Sequence, residues 1–153
     1  MALNRLLEYL DKQDVEYVVI THSKAYTAQK IAASAHIPGK EVAKTVILKL
    51  DGKLIMAVLP APNKVDLQKI KQVTGAQVAE LAEEEEFADT FPDCELGAMP
   101  PFGNLYDMRV LADKSLTEDE RIAFNGCSHR DLVQLQYKDF ENLVHPQIAD
   151  ISL

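Results

Sequence analysis

The strongest structural constraint in the sequence is a pair of apolar, strand-like runs separated by two turn residues. KTVILKL occupies residues 44–50 and KLIMAVL occupies residues 53–59. Asp51-Gly52 lies between them and suits a two-residue turn, in which the backbone must adopt positive φ angles. The sequence therefore predicts an antiparallel β-hairpin near the middle of the chain.

Helical patterns and shorter strand-like runs surround this hairpin. Leucines at positions 3, 6, 7 and 10 follow the i, i+3, i+4, i+7 spacing of an amphipathic helix. Thr27 and Asp66 are suitable N-caps, and Gly75 is a suitable helix stop. Helices are predicted over 3–10, 28–35, 67–73, 83–89 and 138–144, and further strands over 16–21, 77–79, 105–111, 121–125 and 132–137.

The order of these elements indicates the fold class. Strands and helices do not alternate regularly, so a doubly wound parallel sheet is not expected. The prediction is an α+β fold with a mixed, partly barrel-like sheet surrounded by helices. The length of 153 residues suits a single domain spanning 1–153.

Two other properties limit where the chain works. No apolar run approaches the about 20 residues that span a bilayer, so no membrane partner is expected. The first residues, MALNRLLEYLDKQD, lack the continuous apolar stretch of a signal peptide, which predicts a cytoplasmic protein.

The two cysteines, Cys94 and Cys127, are expected to be free thiols in a reducing compartment. Cys127 and His129 do not have the spacing of zinc ligands, and the other histidines are scattered. We therefore expect no metal. A thiol nucleophile paired with His129 is a weaker alternative, because neighbours in sequence seldom align as nucleophile and base.

Charge is distributed unevenly along the chain. The net formal charge is −8, yet residues 24–71 carry nine lysines and three acids, a balance of +6. From residue 76 onward there are five basic and seventeen acidic residues. The lysines are either a solvated face or a local patch that contacts the phosphates at one end of a nucleic acid.

Lys44 is the first candidate for chemistry. Alternate residues of a strand share a face, so Lys44 lies on the side of Val46, Leu48 and Leu50. Such a lysine either extends from the strand end into solvent or points into a pocket. In a pocket, its ammonium could hold a phosphate or an oxyanion.

Two loop segments are the other candidates. Gly97-Ala-Met-Pro-Pro-Phe-Gly103 combines stiff prolines with glycines that allow a ligand to approach the backbone. Phe124-Asn-Gly-Cys-Ser-His129 places a histidine just after a predicted strand. Each segment could equally be a structural turn without chemistry.

Taken in order, these segments resemble the YbaK/ProX aminoacyl-tRNA deacylases, which are related to the editing domain inserted in bacterial prolyl-tRNA synthetases. Four segments carry the resemblance across nearly the whole chain: His22-Ser-Lys-Ala-Tyr-Thr27, Lys44-Thr45, Gly97-Ala-Met-Pro-Pro-Phe-Gly103 and Phe124-Asn-Gly-Cys-Ser-His129. The glycine-proline loop is the most specific of them.

The resemblance implies a hydrolase that cleaves the ester between an amino acid and the terminal adenosine of tRNA, without metal or organic cofactor. It implies that Lys44 is the catalytic residue. It also implies a substrate-binding set: His22, Thr45, Gly97, Met99, Pro100, Pro101, Phe102, Gly126 and His129. The expected partners are the acceptor end of a mischarged tRNA and an aminoacyl-tRNA synthetase.

The substrate is less well defined by the resemblance. This chain has Lys44-Thr45 at the position where family members dedicated to Ala-tRNA(Pro) have a pair that looks like Lys-Asn. Its loop sequence Pro-Pro-Phe also differs from the Ser-Pro sequence of the members that edit cysteine. We expect a small mischarged residue (Ala, Ser, Thr or Cys), with tRNA(Pro) as the first candidate. The alternative is a non-catalytic module of the same fold that binds a tRNA end or a synthetase.

Overall fold

The computed structural model describes residues 2–21 and 37–153, which form two β-sheets and four α-helices. The predicted α+β class is confirmed. The helices are α1 (Ala2–Lys12), α2 (Leu67–Thr74), α3 (Glu84–Phe87) and α4 (Tyr137–Val144). The strands are β1 (Tyr17–Thr21), β2 (Ala43–Leu50), β3 (Lys53–Pro60), β4 (Ala79–Leu81), β5 (Val110–Asp113), β6 (Arg121–Asn125), β7 (Asp131–Gln136) and β8 (Gln147–Ala149).

The predicted hairpin is confirmed as β2 and β3, which pair antiparallel from Ala43↔Pro60 to Leu50↔Lys53. Asp51 and Gly52 have φ angles of 48° and 86°, as the turn requires. The Asp51 carboxylate also accepts hydrogen bonds from the backbone N–H groups of Gln77 and Val78. This ties the turn to the segment that leads into β4.

The hairpin forms the middle of a mixed five-stranded sheet in the order β4-β2-β3-β5-β8. The β2/β4 pair is antiparallel, whereas β3/β5 and β5/β8 are parallel. The second sheet is antiparallel, in the order β1-β7-β6. Within the described part of the chain, the two sheets do not close into a barrel. The partly barrel-like sheet that was predicted is therefore two separate sheets.

Apolar residues pack on both faces of the hairpin, which explains why its two runs are almost continuously hydrophobic. One face contributes residues such as Ile47 and Met56 to the main core, which also contains Phe102, Phe124 and Phe140. The opposite face forms a second core with α2. The members of this second cluster that are fully or nearly fully buried are Leu48, Leu50, Ile55, Ala57, Ile70, Leu111 and Ile151.

Helix α2 has the ends that its sequence predicts. The Asp66 carboxylate accepts hydrogen bonds from the backbone N–H groups of Gln68 and Lys69. Gly75 ends the helix with a φ angle of 76°, and its N–H donates to the Lys71 carbonyl. These contacts satisfy groups that a helix end otherwise leaves without partners.

The strand prediction over 105–111 is wrong in its first half. Gly103–Leu105 is a short 3-10 helix, and the strand begins only at Val110. The Gly103 carbonyl accepts hydrogen bonds from Tyr106 N–H and Met108 N–H, and Asp107 has a φ angle of 51°. This tight turn cannot be part of a strand. The predicted helix over 28–35 lies outside the described residues.

In residues 2–21 and 37–153, no helix is both long and apolar enough to cross a membrane.

Gly103 is predicted to be essential for this packing. A Cβ at Gly103 would collide with the Met108 carbonyl oxygen and lie 2.6 Å from Val110 Cγ2. Gly103→Ala should therefore lower the free energy of unfolding by about 1–3 kcal/mol, measured by urea denaturation followed by circular dichroism. Gly39→Ala is the matched control, because its nearest contact would be Pro62 Cδ at 3.9 Å. Equal stability losses in the two variants would contradict the prediction.

Candidate functional site

The candidate site is organised by a contact between the two sheets. Val42, just before β2, forms a parallel β-bridge with Ala123 of β6. In a parallel pair, side chains two residues beyond the bridge point to the same side on both chains. Lys44 and Asn125 occupy those positions. The catalytic candidate therefore emerges on the same side as the residue that leads into Gly126–His129.

Lys44 is half-buried and forms no ion pair within the described residues. Burial lowers the pKa of its ammonium group, and the nearby ammonium of Lys64 lowers this pKa further. Lys49, on the opposite face of β2, instead forms ion pairs with Glu80 and Glu86 at 3.7 Å and 3.1 Å. Lys44 and Lys64 thus form a positive centre, and no carboxylate of the described residues offsets the charge of Lys44.

Thr45 does not share a face with Lys44. It lies on the side of Ala43 and Ile47, which belong to the main core. Its hydroxyl oxygen is buried and has no hydrogen-bond partner in the described part of the chain. The two adjacent candidates therefore cannot line the same face of the strand.

The predicted glycine-proline loop has an exposed tip and a buried body. The tip is Glu95–Gly97, and the body is 98–103. Gly97 has a φ angle of 86°, which favours glycine. Two backbone hydrogen bonds fix the base of the tip: Glu95 N–H to the Cys127 carbonyl and Cys127 N–H to the Ala98 carbonyl, both 2.9 Å.

The body of the loop packs into the main core. Met99 is 4% exposed, and the Phe102 ring is fully buried against Phe124 and Phe140, with ring centroids at 5.5 Å and 5.9 Å. Pro100 and Pro101 are also buried. These four predicted substrate-binding residues are therefore buried behind the tip and support it from the core. A contact of any of them with substrate stays a prediction.

His129 holds the tip directly. Its Nε2 is 2.8 Å from the Leu96 carbonyl oxygen, so this nitrogen carries the hydrogen and donates it. Its Cε1 would lie 3.5 Å from a Cβ at Gly97. The residue is 4% exposed. In this arrangement Nε2 positions Leu96 and Gly97 and is not available as a general base.

Gly126 serves the turn between β6 and β7. Its N–H donates to the Asp131 carbonyl at 2.9 Å. Ser128 caps the same turn, because its hydroxyl oxygen accepts hydrogen bonds from Arg130 N–H and Asp131 N–H. The Gly126 N–H is thus already engaged in a hydrogen bond within the protein. The predicted contact of Gly126 with substrate would have to come from another of its backbone atoms.

The prediction of free thiols is wrong. Cys94 and Cys127 form a disulfide between segments 33 residues apart in sequence. Their Cα atoms lie 4.3 Å apart because the backbone pairing beside the tip brings the two segments together. Sequence spacing could not show this proximity, since it depends on tertiary structure.

His22 lies outside the described residues, so its predicted role stays a prediction. Among the residues that are described, no group of three or more His, Cys, Asp or Glu side chains is placed to hold a metal ion.

Comparison with known proteins decides the family. The model of the aminoacyl-tRNA editing domain matches residues 22–143. The chain belongs to the aminoacyl-tRNA editing domain family. The resemblance to YbaK/ProX deacylases drawn from the four sequence segments is thereby confirmed.

Curated relatives of this editing domain include proline–tRNA ligases. One from Bacillus mycoides is 28% identical over 84% of this chain and 24% of its own length. Another, from Bacillus thuringiensis, is 30% identical over 76% of this chain and 19% of its own length. The chain thus spans about a quarter or less of these relatives.

Solved structures share the fold of the editing domain. A proposed trans-editing enzyme for prolyl-tRNA synthetase superposes with a TM-score of 0.85 at 19% identity, covering 99% of this chain and 97% of that one. The hypothetical protein APE2540 superposes with a TM-score of 0.87 at 18% identity, covering 97% and 99%. At this identity the likeness establishes the fold alone.

Sequence reasoning missed Asn125 as a member of the site. Lys64 was predicted only as one lysine of the basic segment 24–71, and its proximity to Lys44 depends on the fold. Asn125 is partly buried, and its side-chain oxygen has no hydrogen-bond partner among the described residues. Its position at the end of a predicted strand, next to Gly126, was the available signal.

Gly97 is predicted to set the size limit of the aminoacyl pocket. An alanine methyl would face His129 in ordinary van der Waals contact, while the φ angle of 86° would strain the backbone by about 1–2 kcal/mol. Gly97→Ala should therefore displace the tip and impair the larger accepted aminoacyl groups most. The measurement is kcat/KM for deacylation of several mischarged tRNAs. An equal loss on every substrate would show that the tip serves catalysis or folding, not selection.

Proposed function

We propose that the protein is a trans-editing hydrolase of the cytoplasm that deacylates mischarged aminoacyl-tRNA. Water attacks the carbonyl carbon of the aminoacyl ester, the ester bond breaks, and the free amino acid and the terminal ribose hydroxyl of tRNA are released. The reaction uses no metal or organic cofactor. Residues 1–153 act as a single editing domain.

The observation that carries this proposal is the environment of Lys44. Its ammonium is half-buried, and the ammonium of Lys64 is near enough to lower its pKa further, without a neutralising carboxylate among the described residues. Such a centre attracts an anion, either a phosphate of the tRNA end or the oxyanion that develops on the ester carbonyl. An aminoacyl ester is already activated, so positioning and charge stabilisation supply the required catalysis.

The Gly97 tip would form the wall of the aminoacyl pocket. It is exposed at Glu95–Gly97, whereas residues 98–103 behind it are buried. The His129 hydrogen bond to Leu96 fixes the tip from the other side. We assign His129 as a positioning residue, because its Nε2 acts on the loop backbone. A wall held this firmly can exclude a side chain by steric clash, which discriminates better than added affinity.

The substrate is proposed to be a small amino acid (Ala, Ser, Thr or Cys) on tRNA(Pro). The support for tRNA(Pro) is the similarity to one part of proline–tRNA ligases. A synthetase partner that raises the local concentration of substrate is part of the same proposal. Because Thr45 differs from the Asn of the Lys-Asn pattern, the preferred amino acid among these four is to be determined by measuring deacylation of each mischarged tRNA.

The lysines of residues 24–71 do not all suit contact with tRNA. Lys49 and Lys69 are engaged in ion pairs, Lys69 with Asp150 at 2.9 Å. Lys64 is exposed, has no ion pair within residues 2–21 and 37–153, and lies near Lys44. We therefore propose that Lys64 contacts the acceptor end. Few phosphates are involved, so binding should be weak.

Lys44→Ala tests the proposed catalytic residue. The variant should lose deacylation by about 100-fold or more while keeping its fold, because Lys44 is only half-buried and pairs with no carboxylate of the described residues. The control is Lys49→Ala, on the same strand but facing Glu80 and Glu86, and it should retain activity. Wild-type rates in a folded Lys44→Ala variant would refute the assignment. If the wild type binds tRNA but deacylates no mischarged tRNA, the protein is instead the non-catalytic binding module.

Lys64→Glu tests the proposed contact with the tRNA end. The change should reduce kcat/KM by about tenfold at low salt and less at high salt, because screening weakens the lost attraction. Lys53→Glu is the matched control. Lys53 is also exposed and forms no ion pair with any residue that the structure describes, but it lies at the opposite end of the hairpin, six residues along β3 from the partner of Lys44. If the two variants behave alike, the lysines are only a solvated face.

A further inference from the structure

The disulfide joins the two segments that form the candidate pocket. Cys94 directly precedes the Glu95–Gly97 tip, and Cys127 lies two residues before His129. The cross-link adds to the two backbone hydrogen bonds at the base of the tip. One covalent bond therefore controls how tightly the pocket wall is held against the residue that positions it.

The backbone at position 127 points to a role for the cysteine side chain. Cys127 has a φ angle of 71°, in the left-handed region that favours glycine or asparagine. The side chain is 5% exposed. A cysteine at this position is unfavourable for the backbone, and its bond to Cys94 supplies the compensating interaction.

Cys94 is the less buried of the two cysteines. It is half-buried and borders a small cavity beside the tip, whereas Cys127 is 5% exposed. Arg5 brings a positive charge to this cavity and Asp93 a negative one. The remaining residues that line the cavity are Phe91, Pro92 and Tyr106. Of the two sulfur atoms, an external thiol therefore approaches that of Cys94 more readily.

We propose that Cys94 and Cys127 form a reversible redox switch that clamps the pocket wall. A dithiol reductant attacks Cys94 Sγ through its thiolate, the bond to Cys127 breaks, and the Cys127 thiolate takes up a proton. The second thiol of the reductant then displaces Cys94 and closes its own disulfide. Two electrons pass to the protein, which gains two thiols. A small disulfide oxidant reverses the reaction.

The effect on editing rests on the proposed function. In the oxidised protein the tip and His129 are fixed relative to each other, which preorganises the pocket. In the reduced protein the two backbone hydrogen bonds and the His129 contact remain, so the tip is looser but still in place. We expect kcat/KM for deacylation to be about tenfold higher in the oxidised form, because small displacements of a positioning wall reduce catalysis strongly.

The clamp itself is tested without any substrate. The protein is equilibrated with oxidised glutathione or with dithiothreitol, its free thiols are counted by alkylation and mass spectrometry, and amide hydrogen exchange is followed. Oxidation should remove two thiols and slow exchange in residues 94–99 and 125–131. Two free thiols under oxidising conditions, or identical exchange in both forms, would overturn the proposal.

Activity is then compared in the same two conditions for wild type and two variants. Cys94→Ser should match the reduced wild type in both. The activity of Cys127→Gly should also be insensitive to redox conditions. Glycine adopts the positive φ angle at position 127 without strain, so this variant replaces Cys94→Ser in the test if Cys94→Ser does not fold. Measurable wild-type rates that are equal in both conditions would overturn the switch. Slower exchange on oxidation without deacylation in either form would support the clamp and refute the proposed function.

Discussion

The arrangement of the site depends on the β-bridge between Val42 and Ala123, where the edge of one sheet meets the other. The Val42 carbonyl also accepts a hydrogen bond from Ala61 N–H, which ties the same point to the end of β3. Ile37 packs against apolar residues of both sheets there. Lys44 and Asn125 follow within two residues of this junction. The positions of the ammonium and of the loop that carries His129 are therefore set by the same backbone contact.

One part of the glycine-proline loop is held in the core, and another part is exposed to solvent. Residues 98–103 belong to the aromatic core and cannot move without disturbing it, whereas Glu95–Gly97 is exposed. This short tip is held by a backbone pairing with Cys127, by the hydrogen bond from the His129 ring to Leu96, by a hydrogen bond from His129 N–H to the Glu95 carboxylate and by the disulfide. The tip therefore presents the Leu96 side chain, which is 42% exposed, and the Gly97 backbone in a fixed position, which suits exclusion by shape.

Local sequence signals predicted the parts of the fold that local interactions determine. The Asp51-Gly52 turn, the Asp66 cap and the Gly75 stop each act over a few residues, and all were predicted. Strand alternation predicted that Lys44 lies on the same side of β2 as Val46, Leu48 and Leu50. The apolar cluster that these three residues form confirms this. Features set by distant pairing were not predicted. Strand β8 has three residues and pairs in parallel with β5, and the Cys94–Cys127 contact joins residues brought together only by the fold.

The C-terminal segment has a consequence for how the site is assembled during synthesis. Leu153 N–H donates to the Lys64 carbonyl, Ser152 bridges to Val65, and Ile151 N–H donates to the Asp113 carboxylate. Lys64 thus leaves the ribosome long before the residues that fix its backbone. A nascent chain that has completed the β2–β3 hairpin still lacks a settled position for this lysine. The charged centre is therefore completed only after residues 151–153 have emerged and joined the backbone at Lys64.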